Sequence, residues 1–499
     1  MLTRDSIGRS SIYLSYLLLC AAAVLTVAAA SATAFADEPP RPNIVVILCD
    51  DLGYADVGFN GAKDIQTPSL DHLARNGTIF TSAYVTHPFC GPSRMGLMAG
   101  RYPHEFGAPF NLPNAGLGIE QYNRQGIPVV ETLISTVLQT AGYYTGVVGK
   151  WHLGIDPPFH PNNRGFDDFY GFLGGGHDYF PEKYMATYER QKKAGKTTFN
   201  DYILPLEHNG QQVNETQYMT DALSREGVRF VKEAAERDAP FFLYLSYNAP
   251  HTPLQAKEED LAQYADIKDE KRRTYAAMVH AVDRGVGDVV AALTQAGKLN
   301  NTLIVFLSDN GGKEGTGSDN TPLAKGKGSV CEGGFRVPMF FHWPHVVPAG
   351  KRFDHPVSAL DFYPTFAGLA GASVPENKEL DGKDIWTDFL ADRSSRKGQP
   401  IFALRHYAAF SNVGIRQDQW KATCIGKQWT LYNIDNDIHE DNDLSRSHPE
   451  VLRTMISAAE KWSHTHTQPL WFYTEKEGEP WQQNHMPNYE SIFSIDGSQ

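Results

Sequence analysis

The chain is 499 residues long, with 41% hydrophobic and 21% charged residues, a balance that excludes a disordered tail, a collagen or a coiled coil. Asp plus Glu outnumber Lys plus Arg by 58 to 45, a formal charge of −13, which is the wrong sign for sequence-independent attraction to nucleic acid or an anionic membrane. At this length a single core is not expected, and one large domain with one smaller one is the natural reading.

The chain opens with Arg4 and Arg9, then an apolar stretch from Ile12 to Ala30 and the tripeptide Ala34-Phe35-Ala36 before Asp37. This predicts a secretory signal peptide over residues 1–36 and a secreted or periplasmic protein. An uncleaved anchor is the alternative, since the apolar stretch is nearly long enough to span a bilayer. No later segment has that character, so no stable membrane association is expected after cleavage. The remaining cysteines, Cys49, Cys90, Cys331 and Cys424, are too sparse for a disulfide framework, although one pair could bridge.

Further along, four apolar runs of strand length appear: Asn43–Leu48, Thr145–Val148, Phe241–Ser246 and Thr302–Leu307. They are continuous rather than alternating, as in strands of a parallel sheet covered on both faces. Helical patterns lie between them, at Val130–Ala141, Met219–Ala235 and Glu270–Ala296. The expected fold is α/β, a large, mostly parallel central sheet covered by helices. A polar linker at residues 391–400 then leads to short strands at Ile401–Leu404, Asn412–Arg416 and Trp429–Tyr432 and a helix around Pro449–Trp462. The expected division is thus a signal peptide (1–36), a catalytic domain (37–390) and a smaller C-terminal α+β subdomain (391–499).

Each of the four apolar runs gives way to polar residues of a catalytic kind: Asp50-Asp51, Lys150-Trp151-His152, Asn248 with His251, and Asp309-Asn310. A single Asp after a strand is usually a cap or turn residue. Four such endings are harder to explain that way, because ligands of open α/β sheets bind beyond the carboxyl ends of parallel strands. Asp50, Asp51, Asp309 and Asn310 offer only oxygen donors, which select Ca²⁺ or Mg²⁺, with Ca²⁺ the first expectation. Lys150, His152 and His251 suit an oxyanion and proton transfer to a leaving group. In Cys90-Gly91-Pro92-Ser93-Arg94, Pro92 suits a first helical turn. Cys90 would therefore stand at a helix N-terminus with Arg94 one turn on, as a nucleophile or low-pKa thiol; a plain buried cysteine is the other reading.

The segment Cys90-Gly-Pro-Ser-Arg94, followed by Gly100, resembles the C-x-P-S-R signature of the formylglycine-dependent (type I) sulfatases of the alkaline phosphatase superfamily. Gly142–Gly154, with Gly149-Lys150-Trp151-His152, is similar to the family's second signature. Further matches include Thr67-Pro-Ser-Leu-Asp71, Ala249-Pro-His251, Ser308-Asp309-Asn310-Gly-Gly and Gly326-Lys327-Gly-Ser. Phe89, just before the cysteine, is bulkier than the residue common there.

The resemblance implies a sulfuric ester hydrolase of the arylsulfatase kind, acting on a sulfated carbohydrate or aryl sulfate. It implies that a formylglycine-generating enzyme oxidises Cys90 to formylglycine, whose hydrate binds the metal and attacks sulfur. Asp50, Asp51, Asp309 and Asn310 complete the metal shell, and Asp309 accepts the nucleophile's proton. Arg94 steadies the nucleophile, Lys150 and Lys327 hold sulfate oxygens, His251 protonates the leaving alcohol, and His152 deprotonates the second hydroxyl to expel sulfate. His177 and Asp178, in a glycine-rich stretch, are candidate substrate contacts, and Arg405-His406 could reach the site. The rival readings are a phosphoester or phosphonate hydrolase on the same scaffold, an inactive protein that binds sulfated glycans, and a hydrolase using the unmodified thiol.

Overall fold

In this computed structural model the described residues are 41–112, 125–197, 199–407, 410–426, 428–474 and 478–479. The expected signal peptide and the last residues of the expected C-terminal subdomain lie outside them. The chain divides into 1–41 and 42–499, and all that follows concerns the second unit. No helix among the described residues is long and apolar enough to cross a membrane.

The strands among the described residues are, in chain order, β1 (Asn43–Cys49), β2 (Thr78–Phe80), β3 (Ala83–Tyr84), β4 (Tyr144–Lys150), β5 (Asp168–Phe172), β6 (Glu207–His208), β7 (Gln211–Gln212), β8 (Phe241–Ser246), β9 (Thr302–Ser308), β10 (Met339–His342), β11 (Lys351–Phe353), β12 (Val357–Ser358), β13 (Ile401–Tyr407), β14 (Phe410–Gln417), β15 (Trp420–Ile425) and β16 (Gln428–Asn433). Ten of them form one sheet in the order β11-β2-β10-β9-β1-β8-β4-β5-β6-β7. Its centre, β9-β1-β8-β4-β5, is parallel, whereas β10 and the β6–β7 hairpin run antiparallel.

The centre is parallel because its strands are apolar on both faces. In β1, Ile44, Val46 and Leu48 enter one core, and Val45, Ile47 and Cys49 enter the core on the opposite face. The helices that cover the sheet are α1 (Pro68–Arg75), α2 (Cys90–Ala99), α3 (Ile134–Thr140), α4 (Met219–Ala235), α5 (Glu270–Gln295) and α6 (Phe362–Leu369). The first core is completed by α2, α3 and α6, and the second by α1, α4 and α5. Each fully buried aliphatic side chain contributes about 1.5–3 kcal/mol. Helix α3 starts four residues later than the sequence pattern suggests. Pro128 and Glu131 form a turn, closed by Glu131 N–H donating to Pro128 C=O at 3.0 Å. The Glu131 carboxylate accepts from Arg101 at 2.9 Å, and Val129 and Val130 are left exposed.

The strands β13–β16 form a separate antiparallel sheet. It packs on α7 (Pro449–Ser463) through Phe402, Val413, Ile415, Met455 and Trp462, and this core extends to Tyr102 and Leu360 of the larger body. Where the two meet, four imidazoles cluster, those of His87, His104 and His406 buried and that of His466 partly so: His104 lies 5.6 Å from His87, 5.5 Å from His406 and 5.0 Å from His466, ring to ring. Burial brings His104 down to about 3, and burial with mutual repulsion holds His87, His406 and His466 below the usual histidine range. Below about pH 6.5 the unfolded chain binds protons at these positions and the folded chain does not, which costs about 1.4 kcal/mol per histidine per pH unit. We expect the melting temperature to fall steeply from about pH 6.5 to about pH 4.5; a flat profile across that window would contradict the cluster's neutrality.

Candidate active site

The sheet register aligns the ends of the four central strands. Cys49 pairs with Ser308, Leu48 with Ser246, and Gly149 with Ser246. The residues that follow therefore leave the sheet along one edge, and the structure brings Asp50, Asp51, Lys150, His152, His251, Asp309 and Asn310 together there. Two of these turns use left-handed backbone at non-glycine residues, Asp51 (φ 65°) and His152 (φ 61°). Such strain is a common mark of functional sites.

The buried helix α2 delivers Cys90 and Arg94. It ends at Gly100 in a left-handed cap whose N–H donates to Gly96 C=O at 2.8 Å. Arg94 is fully buried; its Nε donates to Asp309 Oδ2 at 2.7 Å, and its Nη1 donates to Ser246 Oγ at 2.5 Å and Lys150 C=O at 3.2 Å. Lys327 arrives on a loop tied down by Lys327 N–H to Gly312 C=O (3.0 Å) and Gly328 N–H to Pro88 C=O (2.9 Å). That loop needs glycine where backbones touch, since a Cβ on Gly311 would lie 1.7 Å from the carbonyl oxygen of Gly333.

The cations grip one oxygen of each acid. Lys150 Nζ donates to Asp50 Oδ2 at 2.5 Å, and Lys327 Nζ donates to Asp51 Oδ1 at 2.5 Å, which also accepts from Asn310 Nδ2 at 2.7 Å. The other oxygens, Asp50 Oδ1, Asp51 Oδ2 and Asn310 Oδ1, are buried with no hydrogen-bond partner among the described residues. Ligand atoms of Asp50, Cys90 and Asp309 lie within 4.8 Å of one another, as do those of Asp50, Asp51 and His251. Buried hard oxygens without partners, beside carboxylates this close together, fit a divalent cation.

The electrostatics agree with that fit. Burial alone would raise Asp50, yet Lys150, His251, Arg94 and Lys327 hold it well below the usual range. Burial and then the neighbouring Asp50 push Asp309 up to about 6, as expected of crowded carboxylates. Burial, then Lys150 and Arg94, hold His152 well below its ordinary value, so it is a neutral imidazole. Burial also lowers His251, against the pull of Asp50 and Asp51. Its Nδ1 lies 2.6 Å from Thr252 C=O and must be the donor there, while Nε2 lies 3.7 Å from Asp51 Oδ2.

Cys90, His152, His251 and Lys327 face a cavity of about 480 Å³, which Phe89 and Arg405 also line, with His406 on its wall as well. Cys90 Sγ is 3.8 Å from Lys327 Nζ. Lining residues without a sequence signal include Asn111, whose Oδ1 accepts from Gly91 N–H at 2.9 Å, and Tyr202. The glycine-rich loop reaches the cavity through Gly175, where a Cβ would lie 2.8 Å from His152 Nε2. The expected substrate contacts His177 and Asp178 are not on the cavity wall. His177 is buried, with its ring nitrogens 2.8 Å from Asp178 C=O and 2.7 Å from Leu204 C=O, between Phe172 and Tyr184. The four described cysteines are free thiols.

Comparison with known proteins makes this chain a hydrolase of sulfuric esters. The chain belongs to the sulfatase family: the family model named Sulfatase matches residues 42–372. A second model, N-sulphoglucosamine sulphohydrolase, C-terminal, matches residues 326–462. The N-acetylgalactosamine-6-sulfatase of Mus musculus is 32% identical over 443 residues, 85% of this chain and 79% of that protein. Arylsulfatase J of Mus musculus is 30% identical, over 85% of this chain and 76% of that protein. Among solved structures, Ps i-CgsB in complex with k-i-k-neocarrahexaose is 56% identical, with a TM-score of 0.89 over 91% of this chain and 100% of that one. PsFucS1 sulfatase from Pseudoalteromonas sp. is 26% identical, with a TM-score of 0.71 over 86% of this chain and 91% of that one.

Proposed function

We propose that this sulfatase hydrolyses sulfate esters of carbohydrates, specifically of sulfated galactans. The reading is carried by the intact site in a chain 56% identical to a protein seen with a neocarrahexaose, and a relative named for N-acetylgalactosamine, another galacto-configured sugar, supports it. We further propose export by the leader at residues 1–36, maturation of Cys90 by a formylglycine-generating enzyme, and a catalytic body (37–390) with a C-terminal subdomain (391–499).

Asp50, Asp51, Asp309 and Asn310 would hold one divalent cation, Ca²⁺ first, which when bound supplies charge to stabilise the sulfate oxygens. Formylglycine at position 90, when hydrated, supplies an oxygen nucleophile. The chain's own residues do the rest. Lys150 and Lys327 neutralise and orient the sulfate, which matters because its charge spreads over the oxygens in the transition state. Arg94 fixes Asp309 so that this carboxylate can take a proton beside position 90. His251, in its doubly protonated form with Nδ1 still held by Thr252 C=O, passes the proton at Nε2 to the departing alcohol, and neutral His152 accepts one beside position 90.

The test is release of inorganic sulfate from neocarra-oligosaccharides, N-acetylgalactosamine 6-sulfate and an aryl sulfate. Release from the galactan is expected; turnover of the aryl sulfate alone would overturn the carbohydrate reading. Cation binding has a separate readout. Calcium at roughly 100 times its dissociation constant should stabilise the fold by about 2.7 kcal/mol, and Asp50→Asn should blunt this. No thermal shift with calcium or magnesium would contradict a cation at these four residues.

A further inference from the structure

The catalytic cavity does not end at Lys327. A second cavity of about 540 Å³ lies across Lys327 and Arg405, which line both. Its far wall combines Lys325 and Ser329 from the lysine-bearing loop with Asn412, Ile425 and Gly426 from the C-terminal sheet. The shared partition is built rather than incidental. Arg405 Nη1 donates to Gly328 C=O at 2.6 Å, and its guanidinium lies 4.6 Å from the Phe89 ring centre. Across the cavity, the turn after β15 is fixed by Gly426 N–H donating to Asn412 Oδ1 at 3.1 Å.

Charge on these walls runs against that of the chain. The protein carries −13 overall, yet Lys313, Lys325, Lys327 and Arg405 line the two cavities, with Glu314 the one acid among the described residues on either wall. Lys313 and Lys325 are exposed. Ile425, half exposed at 50%, gives the second cavity an apolar ledge of the kind on which the carbon face of a sugar ring rests. Cations beside an apolar ledge, adjoining a sulfate-binding pocket, match a sugar that itself carries an anionic group.

We propose that the cavity beyond Arg405 is a second subsite, which takes a neighbouring sulfated sugar of the same chain, with Lys325 and Arg405 meeting its sulfate and Ile425 its ring. The substrate would then be an oligosaccharide bearing more than one sulfate. This rests on the carbohydrate reading given above.

The test compares kcat/KM on a multiply sulfated neocarrahexaose with that on galactose monosulfates, for the wild type, Lys325→Gln and Lys325→Glu. Both substitutions are at an exposed side chain, and thermal melting checks their folding. The ratio of the two kcat/KM values should fall roughly fivefold for Lys325→Gln and further for Lys325→Glu. An unchanged ratio, with the hexaose still hydrolysed, overturns the subsite alone. Failure of the wild type to release sulfate from either sugar overturns the carbohydrate reading and the subsite with it.

Discussion

Replacing Cys90 with alanine is expected to lower sulfate release by a factor on the order of 10⁴ or more and to leave the fold in place. Cys90 is the one cysteine among the described residues on the cavity wall, and it starts the helix whose next turn carries Arg94. Its sulfur has long contacts, to Asn111 Oδ1 and Lys327 Nζ at 3.8 Å each. Truncation therefore removes little packing, and the melting temperature should move by only a few degrees. Steady-state release of sulfate together with thermal melting checks both halves. Substantial activity in Cys90→Ala would place the nucleophile elsewhere.

Replacing Arg94 with alanine should act on stability as well as on rate. Arg94 and Asp309 are fully buried partners at 2.7 Å, and Asp50 lies 3.9 Å from the same guanidinium. Removing one partner of such a pair leaves an uncompensated buried charge and typically costs about 3–5 kcal/mol. The sign of the pH dependence follows. Burial and Asp50 already raise Asp309 to about 6, and loss of Arg94 removes a group that lowers it, so Asp309 would rise further. The destabilisation should thus be largest above the shifted value and shrink as pH falls through it. Denaturant titration at about pH 8 and about pH 5.5, on either side of that range, measures this. Equal midpoints for variant and wild type at the higher pH would show that Arg94 does not hold the acids together.

Much of the site is legible in the sequence because its residues follow strands marked by continuous apolar runs. Once β1, β4, β8 and β9 are parallel neighbours, Asp50, Lys150, His251 and Asp309 must emerge at the same edge. The edge strands are not legible in the same way. Glu207–His208 and Gln211–Gln212 are polar and two residues long, so no hydrophobic period announces them, and β15 hides because Trp420–Ile425 mixes Lys421 and Thr423 into its pattern. Asn111 and Tyr202 reach the cavity through tertiary proximity alone. The glycine-rich loop shows a subtler limit: its composition points to the pocket, but the part that reaches it is Gly175, which allows close approach to His152, while His177 serves the core behind it.

The central claim is a sulfatase whose nucleophile is made from Cys90, and mass spectrometry of the peptide spanning Cys90, on protein produced with a formylglycine-generating enzyme, tests it most directly. The account predicts a mass about 18 Da below that of the unmodified cysteine peptide, in preparations that release sulfate from the galactan oligosaccharide. Sulfate release by protein in which Cys90 is wholly unmodified would contradict it.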